Sequence, residues 1–409
     1  MEKFMKWMNE KFGPALAKVT DHILIASIND GLMLALPLLL VGTFAMIADI
    51  LRSYIPGIPS LATIQNYSFG LYGLLAAFGI AYKFMERKNT HESKVAAGLM
   101  AIGTYFMLVL PTLNEDWMMV LDPSRLGASG IFIAVFVGLL SGAIMSFFEK
   151  KQFFSKGGVF PQFVTVWFDV MAAASVLYIP LWIATDLLKW DVFSVITGVF
   201  APLATLGQSF WGFVLLYGFG IFIYAFGLSA WALYPLTNPI ALAGIAENSE
   251  LVTQGLAAVN INTWEVATAW LFLGGMGMTF MLNMFFLASK AKKLKALGRA
   301  TLLPTIMNIN EPIVFGAPIA WNPILMIPFI INGFLIPAIV YLVLQMGLVT
   351  IPSQVFGLWF LPIGVTTYMV NQDWKGLVLL AVVLAVSGLI YYPFFRVYES
   401  QVIKKEKSE

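Results

Sequence analysis

SGIFIAVFVGLLSGAIMSFF, residues 129–148, carries no charged side chain, and about 20 such residues coiled as a helix span the hydrocarbon core of a bilayer. Blocks of the same kind lie to either side of it. On the N-terminal side they occupy 31–51, 66–84 and 95–113, and immediately after it 163–185. A less regular group follows at 209–228, 230–246, 264–288, 322–345 and 375–395. The apolar residues come in continuous runs instead of alternating, which argues for helices and against a transmembrane β-barrel. Composition agrees: 59% of the chain is apolar and 11% charged, against about 25% charged in a soluble domain. The sequence therefore predicts an all-α polytopic membrane protein.

Several function classes fall away. A net charge of +2 is too small to attract nucleic acid. The absence of cysteine excludes disulfides, thiolate metal sites and a cysteine nucleophile. Two histidines, His22 and His91, do not make a multi-histidine metal site. No cofactor motif is found, and no catalytic nucleophile can be assembled. The N-terminal MEKFMKWMNEKFGPALAKV is a mixed-charge amphipathic stretch unlike a signal peptide, so the first span is expected to remain as an anchor.

Most of the 24 lysines and arginines fall into five clusters. These are Lys3, Lys6, Lys11 and Lys18; Lys83, Arg87, Lys88 and Lys94; Lys150, Lys151 and Lys156; Lys290 to Arg299; and Arg396 to Lys407. The link near 114–128 is acidic instead, with Glu115, Asp116 and Asp122. Cytoplasmic loops are enriched in basic residues. Placing all five clusters on one side requires an even number of crossings between them. About ten transmembrane helices meet that condition, with both termini cytoplasmic in a bacterial inner (plasma) membrane. Two broken segments then enter and leave on the same side, as re-entrant hairpins. They are 300–321, with Pro304, Pro312 and Pro318, and 351–371, with Pro352, Gly357, Pro362 and Gly364. Residues 190–206 read as an amphipathic helix. A regular N-terminal domain, 1–187, and a C-terminal domain holding the site, 188–409, are expected.

Irregular backbone at membrane depth survives only beside protein or a water-filled cavity, and transporters build substrate sites there. The stretch NINEPIVFGAPIAWNPILMIPF, residues 308–329, places Glu311 in an otherwise apolar region, flanked by Asn308, Asn310 and Pro312. A carboxylate accepting hydroxyl hydrogen bonds, beside amides that bridge others, is suited to a sugar ring. The same glutamate also fits a helix-packing charge, or a loop residue beside the basic 290–299 stretch. Asn238, in LYPLTNPI, forms an Asn-Pro break parallel to Asn322-Pro323. Trp359 offers a stacking face or an interfacial anchor. Gly274, Gly275 and Gly277 lack a following Lys-Ser/Thr, so close helix packing is expected in place of phosphate binding. Asp169, within the fifth span, fits a proton site, a structural charge or a subunit contact.

These stretches resemble the lactose/cellobiose/diacetylchitobiose group of phosphotransferase-system IIC subunits. The resemblance rests on 308–329 and on IYYPFFRVYE at 390–399, with FLGGMGMTF at 272–280 and LMLALPLLLVGTF in the first half as weaker matches. It implies a sugar permease that translocates a disaccharide-like sugar for phosphorylation by a separate cytosolic IIB phosphocarrier subunit. It also implies a homodimer joined through the N-terminal halves and embedded in membrane lipid, with a sugar-bearing body that moves to expose the sugar to the cytosol. The family's site glutamate corresponds to Glu311, with Asn310 beside it, and its late tryptophan to Trp359. The family's Gly-Ile-His-Gly run reads Gly227-Leu228-Ser229-Ala230 here, so Ser229 stands where a sugar-contacting histidine is expected. The stretch GGVFPQFVTVWFD also departs from the family pattern. A roomier pocket, and either a sugar other than cellobiose, lactose or diacetylchitobiose or weaker binding of these three, would follow. Apart from the resemblance, the residues also fit an ion-coupled secondary sugar transporter or a non-transporting receptor.

Overall fold

Backbone groups in a bilayer find partners only in one another, so uninterrupted apolar runs become long helices. The structure, a computed structural model, describes residues 7–52, 55, 57–90, 92–110, 112–113, 118–154, 162–317 and 319–408. Expectations that fall on Lys3, Lys6, His91, Glu115, Asp116, Lys156 and Pro318 lie outside the described residues, as does part of GGVFPQFVTVWFD. The chain divides into two units, residues 17–203 and residues 1–16 with 204–409.

In the first unit α1 (Ile23–Arg52), α2 (Tyr72–Arg87), α3 (Lys94–Val109), α4 (Ile131–Lys151) and α5 (Gln162–Trp182) follow one another. Helix α2 packs on both α1 and α4. A Cβ on Gly79 would stand 2.5 Å from the Gly31 carbonyl oxygen, so glycine lets α1 and α2 touch backbone to backbone. Basic residues at the end of α2 meet acids: Lys83 pairs with Glu86 at 2.7 Å and Arg87 with Asp30 at 2.6 Å. Asp169 is buried, and its Oδ1 accepts the Phe154 N–H at 3.4 Å. Among the described residues of this unit the strands are β1 (Thr112–Leu113) and β2 (Met119–Val120), paired as a two-stranded antiparallel ladder. Helix α6 (Val192–Gln208) leads out of this unit.

The second unit alternates long helices with short ones. Helices α7 (Phe210–Ala225), α8 (Tyr234–Thr253) and α9 (Trp264–Val266, continued by a π turn over Ala267–Leu271) come first. They are followed by α10 (Phe280–Ala288), α11 (Lys292–Ile306), α12 (Glu311–Gly316), α13 (Pro323–Gln345), α14 (Val365–Asn371) and α15 (Trp374–Ser408). Helix α13 packs between α7 and α15. The α11 N-terminus has no side-chain cap of its own. Glu406, near the end of α15, supplies one instead, accepting the Lys292 and Lys293 N–H groups at 3.1 and 2.7 Å.

Six helices among the described residues are long and apolar enough to cross a membrane, or seven if Val192–Gln208 and Phe210–Ala225 form one broken span. The expected count of ten is therefore not reached by length and apolarity alone. The clearest difference is 264–288, read from composition as one span. Gly274, Gly275 and Gly277 have φ of +74°, +94° and +78°, so the chain turns between α9 and α10. These glycines serve a left-handed turn, and Gly277 also makes the close helix contact expected, since a Cβ there would run into the Phe329 ring of α13. Asn238-Pro239 differs in the opposite sense. It lies inside α8, whose helix runs on past the proline.

Candidate functional site

The breaks of the second unit converge on a cleft of about 800 Å³ including its open mouth. One wall is α7, which presents Tyr217, Gly220 and Tyr224 at helical spacing, on one face. The glycine turn contributes Gly275 and Met276, the segment after α11 contributes Asn308, Asn310 and Glu311, and the second broken segment contributes Trp359. Leu233, Tyr234, Thr237, Trp264 and Phe272 close the remaining side.

Asparagine amides hold these loops in register. Asn308 Oδ1 accepts the Gly274 N–H at 3.1 Å, while its Nδ2 donates to the Trp359 carbonyl at 3.0 Å and the Leu361 carbonyl at 3.3 Å. Asn310 Nδ2 donates to the Met276 carbonyl at 2.5 Å, and its Oδ1 accepts from the Tyr224 hydroxyl at 3.5 Å. Both side chains thus meet the cleft while fastening its three broken segments together. Glu311 follows Asn310 at the first position of α12, with Pro312 next, where a missing N–H leaves no helical bond unmade. Its side chain is exposed to the cleft, and no hydrogen bond or ion pair engages it among the described residues. Among the described residues of the lining, Glu311 alone is charged.

Four of the residues singled out in the sequence, Glu311, Asn310, Asn308 and Trp359, therefore meet at one cleft. Asn238 and Ser229 do not line it. Asn238 is buried in α8, and Ser229 is exposed just before it. The aromatic wall escaped sequence reasoning because tyrosine and tryptophan inside apolar spans read as ordinary packing. Its readable signal was Tyr217 and Tyr224 two turns apart with Gly220 between them.

A polar frame underlies that wall. Gln208 Nε2 donates to the Asn262 carbonyl at 2.9 Å, its Oε1 accepts the Asn262 N–H at 2.7 Å, and Asn262 Nδ2 returns to the Gly207 carbonyl at 2.8 Å. Glu265 is buried beside Trp264, with Oε1 accepting the Phe356 N–H at 2.9 Å.

Residues 29–333 match the family described as phosphotransferase system, EIIC. The chain belongs to that family. The lichenan permease IIC component of Bacillus subtilis (strain 168) is 28% identical to this EIIC chain, over 99% of the chain and 96% of the relative. The lactose-specific EIICB component of Staphylococcus haemolyticus (strain JCSC1435) is 27% identical over the whole chain, which covers 72% of that protein. The crystal structure of the transporter ChbC, the IIC component of an N,N'-diacetylchitobiose-specific phosphotransferase system, superimposes with a TM-score of 0.86 at 26% identity. That superposition covers 98% of this chain and 99% of ChbC.

Proposed function

We propose that this EIIC permease component binds a neutral, β-linked disaccharide-like sugar in the cleft and carries it to a separate IIB subunit for phosphorylation. The observation that carries the reading is Glu311, a carboxylate without a hydrogen-bond or ion-pair partner among the described residues, at the head of a broken membrane segment and facing a cleft otherwise lined by uncharged aromatic, amide and aliphatic groups. A carboxylate so placed has acceptor capacity for sugar hydroxyls, and the Trp359 ring beside it suits the apolar face of a pyranose. A IIB partner is supported by the EIICB relative, in which a further part of the protein accompanies the matching region.

The test is titration of purified protein with cellobiose, lactose and diacetylchitobiose, repeated with Glu311→Gln. A charge-assisted hydrogen bond contributes about 1.5–3 kcal/mol, so affinity is expected to fall about ten- to hundredfold. Unchanged affinity in the variant would remove Glu311 from the site. Uptake into vesicles separates this reading from ion coupling. Phosphorylated sugar should appear inside, dependent on the soluble phosphocarrier. Accumulation of unmodified sugar that a protonophore collapses would support a secondary transporter instead.

The same proposal includes about ten crossings, both termini cytosolic, re-entrant segments at 300–321 and 351–371, and a homodimer joined through the N-terminal half. The native chain has no cysteine. Single cysteines at positions 88, 120 and 293 thus report topology through an impermeant thiol reagent on intact cells. Only position 120 should be labelled, and labelling at 88 or 293 would sink the map.

A further inference from the structure

The basic clusters of the chain differ in what their charges meet. Where α2 turns into α3, most are answered within the first unit. Lys83 and Lys94 lie 2.7 and 3.8 Å from the Glu86 carboxylate, and Arg87 lies 2.6 Å from Asp30. In the second unit, α11 carries Lys292, Lys295 and Arg299 at i, i+3 and i+7, an exposed stripe along one face. The helix holds no acidic residue, and among the described residues no carboxylate pairs with these three side chains.

The acids at the start of α11 are engaged by other groups. Glu406 accepts the two backbone N–H groups described above. Glu399 accepts the Ser289 hydroxyl at 2.8 Å and the Lys290 N–H at 2.7 Å, and it pairs with Arg396 at 2.7 Å. Like charges three and four residues apart repel one another along a helix. An anionic partner lying on the stripe would relieve that repulsion.

Position favours one partner. α11 leads directly into Asn308, Asn310 and Glu311 of the cleft, with Arg299 seven residues, or about 10 Å, before its end. The EIICB relative matches the whole of this chain and is longer than it, so its further part continues from one end of the matching region. α15 ends against the start of α11 through Glu406. Phe12, near the other end of the chain, packs on the hydrophobic cluster that contains Leu294 of α11.

We infer that the Lys292–Lys295–Arg299 stripe is the docking surface for an acidic face of the IIB phosphocarrier, which it holds beside the cleft. The inference rests on the permease reading above.

The experiment measures sugar phosphorylation by the full chain in phosphatidylcholine nanodiscs, with and without phosphatidylglycerol. The donor is the soluble IIB phosphocarrier that supports uptake in the vesicle assay. Reversing all three charges (Lys292→Glu, Lys295→Glu, Arg299→Glu) should raise the KM for the phosphocarrier about tenfold or more, with kcat and sugar affinity within about twofold of wild type. Added salt should raise the wild-type KM and leave that of the triple variant nearly level. Lys88→Glu, an exposed change at the end of α2, should have no effect. If the triple variant loses sugar binding, the single reversals decide, each expected to raise KM about threefold. An unchanged KM, or an equal rise in Lys88→Glu, would overturn the inference and leave the permease reading standing. An effect confined to nanodiscs with phosphatidylglycerol would assign the stripe to lipid headgroups and overturn it too. If no phosphocarrier supports uptake, the permease reading falls and the inference with it.

Discussion

Gly275→Ala is expected to abolish measurable sugar binding, although the change adds one methyl group. Gly275 has φ of +94°, a backbone region closed to other residues without strain. Its new Cβ would also stand 2.4 Å from Asn310 Cγ and 2.6 Å from Asn310 Cβ, well inside contact distance. Asn310 cannot retreat freely, because Nδ2 is held by the Met276 carbonyl on the same turn. The backbone of 308–311 must therefore move, carrying Glu311 with it. Strain and overpacking together should cost about 2–5 kcal/mol, and the displaced carboxylate should lower affinity about hundredfold or more. Gly347→Ala separates the two causes. Gly347 has φ of +69°, but a Cβ there meets nothing within 4 Å. That variant should show the backbone strain and keep its sugar affinity. Equal affinity in Gly275→Ala and the wild type would mean that the glycine turn does not hold Asn310 and Glu311 in place.

Long apolar blocks were legible because a bilayer leaves them one outcome. The runs 31–51 and 375–395 fall inside α1 and α15, and 129–148 and 322–345 match α4 and α13 to within two residues at their starts. Glu311 was legible for the converse reason, as a charge where charge is expensive. The turn at Gly274–Gly277 was not, because glycine's small size and its access to positive φ leave the same mark in a sequence. Asn308 and Asn310 were read as groups that meet a ligand. Their amides in fact tie the glycine turn, the Glu311 segment and the Trp359 segment together. No local pattern announces that role, since the partners, backbone groups and the Tyr224 hydroxyl, lie dozens of residues away. Asn238-Pro239 shows the reverse error: an interior proline removes one i→i−4 hydrogen bond without having to end the helix, and α8 continues through it. Asn248, Asn260 and Asn262 were passed over because polar residues near the end of an apolar block resemble a solvated loop.

Asn248 carries the largest expected effect on folding. It is fully buried in α8, and its side chain makes four hydrogen bonds, all to backbone. Nδ2 donates to the Asn260 carbonyl at 2.8 Å and the Pro352 carbonyl at 2.9 Å, while Oδ1 accepts the Val259 and Asn260 N–H groups at 3.0 and 2.8 Å. One amide thus fixes the approach to α9 and the start of the segment that bears Trp359. Leucine has a similar shape and none of these bonds. Each backbone group left buried and unpaired costs about 1–3 kcal/mol, so Asn248→Leu should lose about 4 kcal/mol or more. Asn248→Asp isolates the donor half. It can still accept the two N–H groups, but it sets a carboxylate oxygen against the Asn260 and Pro352 carbonyls. It should fail comparably near neutral pH, because a buried charge facing two carbonyls is costly in itself. Thermal unfolding in detergent, followed with and without a bound glycoside, measures both effects. Both variants should unfold well below the wild type, and whatever remains folded should bind sugar weakly, because Trp359 has lost its anchor on the α8 side. A melting temperature within a few degrees of wild type for Asn248→Leu would show that the two loops hold their places without this amide.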